Sequence, residues 1–371
     1  MASLSFFFLI FNFPLPVIQS SAILALLINI PLLINKRYIS LPKNFIKVIL
    51  AYILILSLTI VITLFNGHDY TLSLAIAKVI VFIILSSIVI SIYRDKNLLE
   101  LVLNAFSIQA IVSLLSLMSN EFYNITSIFR NTVAQEINMY SDGIRGNIIA
   151  SDPFFLTGYL VPIVLYLLLE YRNNFSKTRT IFYLLSLIII AFLSARTSII
   201  GVIFTIFIFT FKHYRNILFS FFIIFSLILI GIFFQENKLI SFVFELFYNL
   251  FHSNSATTKS SDVLLKMLNS FTLPNFFGEG KWINNDGTYF GHTDSGYMRT
   301  IYYYGIFSIF FYCIYFYLLT LLKFDYNKKF IIFLFIWSAI CQIKGEVFIY
   351  PAYANSLLLI LLLWKIKSEK A

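Results

Sequence analysis

Long apolar runs separated by short polar segments dominate this chain and determine its predicted architecture. A helix that crosses the hydrocarbon core of a bilayer needs about 20 mostly apolar residues. Runs of this kind, some of them shorter, occupy residues 4–34, 44–65, 72–93, 98–118, 153–170, 181–195, 197–211, 217–234, 297–322, 330–343 and 352–366. Prolines in the first run predict either one kinked helix or a short helical pair there. The pattern predicts an all-α polytopic membrane protein with about 11–12 transmembrane helices, forming one domain over residues 1–371.

Composition supports this class and excludes others. Of the 371 residues, 60% are hydrophobic and 12% are charged, whereas soluble domains are about half apolar and about a quarter charged. The net charge of +10 does not indicate nucleic-acid binding, because the cations are dispersed between apolar runs rather than clustered on one face. Both cysteines lie in apolar runs, so neither a disulfide framework nor a metal cluster is expected.

The distribution of Lys and Arg predicts the orientation in the membrane. One set of alternate short loops, ending with the C-terminal segment, holds 17 of the 27 cations, and loops rich in cations stay in the cytoplasm. The C-terminus is therefore predicted to be cytoplasmic, and two long loops, 119–152 and 235–296, are predicted to face outward. In the larger loop, the residue pattern from Lys238 to Phe251 predicts an amphipathic helix that lies on the membrane surface. Because the cytoplasmic loops are short, any chemistry is expected on the outer side.

Arg196 interrupts the otherwise apolar run from Ile181 to Phe211. Since cytoplasmic cations flank both ends of this run, the chain is predicted to cross the membrane, turn at Ser194–Ser198 and return. Each arm would have about 15 residues, or roughly 23 Å at 1.5 Å per residue, which is shorter than the hydrocarbon core. A recessed arginine is costly unless a cavity or an anion solvates it, and its planar fork suits phosphate. The simpler interpretation is an arginine that snorkels at a helix end.

The segment from Gly291 to Arg299 ends the larger loop and begins the next apolar run. It brings His292, Asp294 and Arg299 together at a membrane boundary, which suggests acid/base chemistry and anion binding. The structural alternative is that Asp294 or Ser295 caps the helix and Arg299 snorkels.

Two other outer segments carry charged residues beside glycine. Arg145 follows Gly143 and precedes Gly146, and such glycines let the backbone approach a ligand closely. Lys344 and Glu346 flank Gly345 between two short apolar runs, where a structural ion pair is slightly favoured over a direct role.

The order of these features resembles the bacterial O-antigen polymerase (Wzy) family and, more distantly, the O-antigen ligases. Leu193–Ser198 resembles the family's Ser-Arg hairpin between two helices, and Phe277–Gly280 resembles its Gly-x-Gly element in the large outer loop. His292–Arg299, followed by Tyr304–Ile306, resembles its Asp-Ser-Gly-Tyr segment with a downstream glycine. Lys344–Glu346 lies where the family often has a lysine near the start of a late helix.

This resemblance implies a GT-C-like helical fold and a glycosyltransferase of the bacterial inner membrane whose active site faces the periplasm. Such polymerases transfer a growing glycan from undecaprenyl diphosphate onto the non-reducing end of a lipid-linked repeat unit. The implied partners are undecaprenyl-diphosphate-linked oligosaccharides, membrane lipid and a chain-length regulator protein, with no cofactor, metal ion or nucleic acid.

The same resemblance assigns roles to the candidate residues. The leaving lipid diphosphate is a stable anion and needs positive charge rather than a proton donor. The predicted phosphate ligands, the last two as helpers, are Arg196, Arg145, Arg299 and Lys344. The attacking sugar hydroxyl needs a base, for which Asp294 and His292 are the candidates.

Two alternatives stay open at the level of sequence. An O-antigen ligase, or another lipid-linked glycosyltransferase, would use a functional histidine in the large loop, here His292. A polysaccharide flippase would be expected to show spans of even length, cations lining a midplane cavity and no loop as large as 235–296.

Overall fold

The computed structural model describes most of the chain, and the described part is helical. It covers residues 1–16, 20–36, 39, 41–66, 69–140, 143, 146–212, 236, 241, 245, 248–249, 259–284, 286–322, 326–348 and 353–364. The apolar run 217–234, most of the predicted surface helix 238–251, and Arg145 lie outside the described residues. Within the described ranges the one β-type contact is an isolated antiparallel bridge between Ile283 and Tyr289.

Fifteen α-helices are described, and we number them in chain order. They are α1 (Ala2–Phe11), α2 (Ser21–Asn35), α3 (Phe45–Asn66), α4 (Thr71–Ile92), α5 (Leu98–Met118), α6 (Asn120–Thr126), α7 (Thr132–Tyr140), α8 (Phe155–Glu170), α9 (Lys177–Ser194), α10 (Arg196–Lys212), α11 (Lys259–Asn269), α12 (Gly296–Tyr304), α13 (Ser308–Thr320), α14 (Lys328–Lys344) and α15 (Tyr353–Leu363).

Among the described residues, five helices are long and apolar enough to cross a membrane, and four shorter ones are apolar. The five are α3, α4, α5, α9 and the continuous stretch Gly296–Thr320, which contains α12 and α13. The prediction of a helical membrane protein is therefore confirmed at this level. The first apolar run forms the helical pair rather than one kinked helix, because Asn12 ends α1 in a left-handed conformation with φ 37°.

The chain divides into two compact units. The first comprises residues 1–21, 99–262 and 367–371, and the second comprises residues 22–98 and 263–366. Each unit combines segments that are distant in sequence. The boundaries between the two units therefore do not coincide with the ends of the predicted loops 119–152 and 235–296.

In the first unit, α9 and α10 form the predicted hairpin. Ala195 alone separates the two helices and has an extended backbone (φ −147°, ψ 151°). The arms have 18 and 17 residues, somewhat longer than predicted. The Oγ atoms of Ser194 and Ser198 lie 2.6 Å apart across the turn, and α8 packs against both arms. The predicted turn between two packed helices is confirmed, and the crossing of a membrane by both arms stays a prediction.

A buried arginine organises the first long loop of this unit. Arg130 donates to the hydroxyls of Ser116 (2.8 Å) and Thr126 (2.6 Å) and to the carbonyl oxygens of Asn147 (3.0 Å) and Tyr123 (3.3 Å). Its guanidinium also stacks on the Tyr123 ring. These contacts tie α5, α6 and the residues before α8 together. A buried charge is stable only when hydrogen bonds replace water, so Arg130 has a structural role that its sequence context did not indicate.

In the second unit, α12 is tied to α3 by two hydrogen bonds between side chains. The hydroxyls of Tyr304 and Thr59 lie 2.7 Å apart, and those of Tyr303 and Thr63 lie 2.6 Å apart. α12 also packs on α13 and α14, while α15 packs on α4. Buried hydroxyl pairs fix the rotation of α12, and this rotation decides which of its side chains face the Gly-x-Gly loop.

Candidate functional site

The candidate site of the second unit is built where a loop with two glycines docks on a broken helix. The predicted apolar run 297–322 is interrupted at Gly305, which has φ +56° and ends α12. A Cβ at Gly305 would lie 2.3 Å from the carbonyl oxygen of Phe276, and one at Gly278 would lie 2.2 Å from that of Tyr303. Both positions therefore require glycine, because no side chain fits between the two backbones.

Backbone hydrogen bonds hold this loop in place. The N–H groups of Glu279 and Gly280 donate to the carbonyl oxygens of Tyr302 (2.7 Å) and Tyr303 (3.2 Å), and the N–H of Ile306 donates to Phe276 (3.0 Å). A helix end leaves its last carbonyl groups without partners inside the helix. The loop supplies those partners, so the Gly-x-Gly element and the downstream glycine of the resemblance form one structural unit.

Asp69, between α3 and α4, anchors the next part of the loop. Its carboxylate accepts from the N–H groups of Trp282 (2.6 Å) and Ile283 (3.3 Å), and also from that of Thr71 (3.0 Å). Partial burial acts to raise the pKa of Asp69, but these hydrogen bonds outweigh it, and the pKa is lowered. The carboxylate is therefore charged at neutral pH and fixes the position of Trp282.

Trp282 and Tyr289 enclose Arg299. The guanidinium carbon lies 3.9 Å from the centre of the Trp282 ring and 3.5 Å from the centre of the Tyr289 ring. Arg299 is only 4% exposed, and its Nε and Nη2 atoms have no hydrogen-bond partner among the described residues. Stacking on two rings offsets part of the cost of burying the charge, but two strong donors are left for an acceptor that the described protein does not supply.

Asp294 lies at the surface near this arginine and accepts no hydrogen bond from a described residue. The helix that follows has Ser295 at its N-cap position without a side-chain capping bond, so neither residue has the capping role considered from sequence. Surrounding protein desolvates the Asp294 carboxyl group and raises its pKa, while the Arg299 charge opposes this rise. Because Asp294 is still exposed, its carboxyl group is open to water and to an incoming hydroxyl.

His292 is also exposed and forms part of a short 3-10 turn. It has φ +50°, a conformation that residues other than glycine rarely adopt. Its N–H donates to the carbonyl oxygen of Tyr289 (2.9 Å), one of the two residues whose rings enclose Arg299. His292 is thus linked to the arginine pocket through the backbone of Tyr289, whereas the Asp294 carboxylate interacts electrostatically with Arg299 itself.

Glu346 is buried beneath the same helix, with 2% exposure. Its Oε2 accepts from the Thr300 hydroxyl (2.9 Å) and the Gln342 amide (2.9 Å), and its Oε1 accepts from the N–H of Phe348 (3.0 Å). Its negative charge also acts on Arg299. Glu346 therefore ties α12 to the end of α14 and serves as a counter-charge for the arginine.

Lys344 and Gly345 complete this contact. Lys344 ends α14 and is half-buried, and Gly345 is the C-cap residue of the helix. A Cβ at Gly296 would lie 2.7 Å from the carbonyl oxygen of Gly345, so the Gly of the Asp-Ser-Gly-Tyr segment is needed for close packing. Of the predicted site residues of the second unit, Asp294 therefore lies near Arg299, whereas His292 and Lys344 lie on adjoining segments that reach the site through the backbones of Tyr289 and Gly345.

Arg196 belongs to the first unit, at the start of α10. Its guanidinium forms an ion pair with Glu245, a residue of the larger loop that is described as helical. The two side chains are 17% and 19% exposed. The predicted phosphate ligand therefore already has a carboxylate partner, and an incoming phosphate would have to compete with Glu245 for it. Arg145, the other predicted ligand of this unit, lies outside the described residues.

Sequence reasoning missed the residues that shape the arginine pocket. Aromatic residues in an outer loop, such as Trp282 and Tyr289, commonly lie in an interfacial belt, but Trp282 is 3% exposed and its ring is covered by Arg299. Asp69 gave no signal, since a lone Asp between two apolar runs is an ordinary loop residue. Glu346 carried a weak signal. It lies next to an apolar run, and an acidic residue that is buried in such a place needs hydrogen-bond or charge partners.

The arrangement combines a buried arginine with two unpartnered donors, Arg299, an exposed carboxylate, Asp294, and an exposed imidazole, His292. The cation can hold an anionic leaving group, and either exposed group can take a proton from a nucleophile. Across the residues that the structure describes, no group of three or more His, Cys, Asp or Glu side chains could hold a metal ion.

Comparison with known proteins adds no relative. No protein-family model, curated protein or solved structure matches this chain.

Proposed function

We propose that this protein is a surface-polysaccharide polymerase of the O-antigen type. It would transfer a glycan from undecaprenyl diphosphate onto a lipid-linked repeat unit at the periplasmic face of the bacterial inner membrane. The proposal includes a transmembrane domain of about 11–12 helices with a GT-C-like arrangement, a cytoplasmic C-terminus, two large outer loops and a chain-length regulator as partner.

The observation that carries the proposal is the state of Arg299. A buried guanidinium with two unpartnered donors is costly by itself, so we infer that a substrate supplies the acceptor. Phosphate oxygens are well suited to this planar cation. The pocket lies at the start of a candidate membrane span, which is where the phosphates of a lipid-linked substrate would be found.

The proposed reaction uses the neighbouring groups in a simple sequence. Asp294, or alternatively His292, takes the proton of the attacking sugar hydroxyl. The hydroxyl oxygen forms a bond to the anomeric carbon of the donor sugar, and the bond from that carbon to the diphosphate oxygen breaks. Undecaprenyl diphosphate leaves with the electron pair, and the cation stabilises its developing charge. Arg196, Arg145 and Lys344 keep their predicted roles as further phosphate ligands.

The test is a polysaccharide gel on a strain that lacks this gene. We expect lipid A-core carrying a single repeat unit, because flipping and ligation continue while chain growth stops. Return of the wild-type gene should restore the ladder of long chains. If no repeat unit reaches the core, the polymerase assignment is wrong.

That second outcome separates the remaining candidates. A ligase defect leaves lipid-linked polymer on the outer face of the membrane, whereas a flippase defect leaves single lipid-linked units on the inner face. The exposed position of His292 favours the ligase as the second candidate, since a ligase would use a histidine in this loop.

A further inference from the structure

A row of phenylalanine rings lies exposed on the surface of the second unit. The Phe277 ring stacks between Phe65 (centroids 6.3 Å apart, interplanar angle 21°) and Phe307 (5.8 Å, 25°), and Phe307 stacks in turn on Phe310 (6.0 Å, 24°). We call these four rings the aromatic ladder. Phe65 is 79% exposed, and Phe277 and Phe310 are also exposed. The ladder is therefore a continuous apolar surface rather than part of the core.

Candidate membrane spans supply three of the four rings. Phe65 lies near the end of α3, and Phe307 and Phe310 lie in the span Gly296–Thr320. Apolar neighbours on the same helices are exposed as well: Val61, Leu64, Ile306 and Ile309. The exposed side of a membrane span faces hydrocarbon. Since Phe277 lies between two rings of such spans, the loop residue shares their surroundings.

The loop segment before Phe277 has the composition of a membrane-contacting element. From Met267 to Gly278 it contains no charged residue. Leu273 is 85% exposed and Phe276 is 63% exposed, although large apolar side chains that adjoin one another are seldom left in water. In the preceding helix, Val263, Leu265 and Leu268 are exposed together with Lys266, a pattern that suits anionic headgroups above acyl chains.

Contacts at both ends hold this segment against the unit. The Phe271 ring packs on Tyr302 with centroids 5.0 Å apart, and the N–H of Thr272 donates to the Tyr302 hydroxyl (3.2 Å). At the other end, Gly278 is held against Tyr303 and Gly305. Because both ends of the segment are held in this way, its backbone is fixed and its apolar side chains stay exposed.

We propose that residues Val263–Phe277 form a membrane-inserted segment whose apolar side chains, together with the aromatic ladder, contact the acyl chains of the bilayer. Because Gly278 directly follows this segment, insertion fixes the Gly-x-Gly loop, and with it the Arg299 pocket, at the level of the bilayer surface. The inference does not depend on the proposed enzymatic activity.

Spin-label accessibility tests the proposal on the full-length protein in liposomes of phosphatidylethanolamine and phosphatidylglycerol. Single cysteines are introduced into a background with Cys313→Ser and Cys341→Ala, which removes both native thiols. The test position is Leu273→Cys, whose high exposure leaves room for the label, and Phe276→Cys provides a second test. Leu54→Cys, exposed in the middle of α3, is the lipid control, and Asp286→Cys, exposed in the same loop, is the water control.

For each label we compare its collision rate with oxygen to its collision rate with a water-soluble nickel chelate. This collision ratio should be several-fold higher at Leu273 and Phe276 than at Asp286. Their collision ratio should approach that of Leu54. A ratio equal to that of Asp286 would place the segment in water and overturn the proposal. Low accessibility to both reagents would also overturn it, because another protein surface would then cover the segment.

Discussion

Arg196 and Arg299 have the same predicted role, yet the two units surround them differently. Arg196 is partly exposed and has a carboxylate partner, Glu245. Arg299 is almost fully buried, stacks between two aromatic rings and keeps two donors without a described partner. An arginine whose charge is already paired gains less from a substrate anion than one whose donors are unsaturated. We therefore expect the two cations to contribute unequally to the proposed reaction, with Arg299, predicted from sequence only as a helper, the more important.

The largest expected effect comes from changing Arg299. Arg299→Lys keeps the positive charge but loses the planar fork and the stacking between two rings. We expect polymer to fall below detection while the protein still reaches the membrane, measured by a polysaccharide gel and by membrane-fraction immunoblotting. Lys281→Ala, an exposed cation of the same loop, should leave the ladder unchanged. A normal ladder from Arg299→Lys would remove this residue from the proposed mechanism.

The Arg196 pair should show a smaller and asymmetric effect. Arg196→Ala is expected to reduce polymer formation by at least about tenfold, equivalent to about 1.4 kcal/mol. Glu245→Gln should retain polymer, because it releases the guanidinium for phosphate without removing it. The measurement is the polymerisation rate of each variant in vitro with lipid-linked substrate. Equal losses from the two variants would mean that the ion pair itself, rather than a free cation, is what the protein needs.

The docking of the Gly-x-Gly loop can be tested with two glycines of similar conformation. Gly278 and Gly287 have φ +75° and +81°, but a Cβ at Gly287 meets nothing within 4 Å. Gly287→Ala should cost roughly 1–2 kcal/mol from its backbone conformation alone. Gly278→Ala should cost about 1–3 kcal/mol more, because its Cβ overlaps the Tyr303 carbonyl. Thermal unfolding in detergent compares the two, and equal shifts would argue against the docked loop.

The counter-charge of the arginine pocket should matter more for stability than an ion pair at the surface. Glu346→Gln replaces a carboxylate oxygen that accepts from Thr300 and Gln342, so about 1.5–3 kcal/mol of unfolding free energy should be lost. The matched control is Glu100→Gln, which breaks the exposed pair between Glu100 and Arg179 and should cost less than about 1 kcal/mol. A smaller shift from Glu346→Gln than from Glu100→Gln would contradict the structural role of this carboxylate.

The smallest expected effect concerns the pH dependence of Asp294. Its pKa is raised by desolvation against the opposing Arg299 charge, so the folded protein binds a proton at a higher pH than the unfolded chain does. Asp294 alone should therefore make the protein slightly more stable as the pH falls through the raised pKa towards the ordinary value of about 3.9. Asp294→Asn should abolish this contribution, which melting temperatures between acidic and neutral pH would reveal.

Asp286 gives a control of opposite sign. Hydrogen bonds from the side chain and N–H of Thr288 lower its pKa, so its contribution to stability is lost as the pH falls through that lowered pKa. Asp286→Asn should change the melting curve in the direction opposite to Asp294→Asn. Changes of the same sign would show that the local environment of Asp294 has been misassigned.

Much of the fold was accessible from the apolar pattern. The hairpin around Arg196 followed from an apolar run too long for one span that carries cations at both ends. The broken helix at Gly305 was not predicted, because residues 297–322 form one apolar run whose only charged residue, Arg299, lies in its first turn. The break depends on loop N–H groups that replace the lost helical hydrogen bonds, and these come from the distant residues Glu279 and Gly280.

The candidate site was predicted only in part. His292, Asp294 and Arg299 were identified because polar residues at the start of a membrane span are unusual, and the structure places Asp294 near Arg299. The walls of that pocket were not predictable, since Trp282, Tyr289 and Glu346 have sequence contexts that equally suit an interfacial belt or a surface pair. Arg130 was not identified from the sequence at all, although it is the buried centre of its own loop.

The sequence by itself determined that this is a helical membrane protein, where its chain turns at Ser194–Ser198, and which charged residues are candidates for chemistry. These properties depend on hydrophobic length and local charge, which are read along the chain. Tertiary structure alone decided which arginine is paired with a carboxylate and which is enclosed by aromatic rings. That choice depends on contacts between residues far apart in sequence, because the free energy of a buried charge is determined by the groups that replace its water.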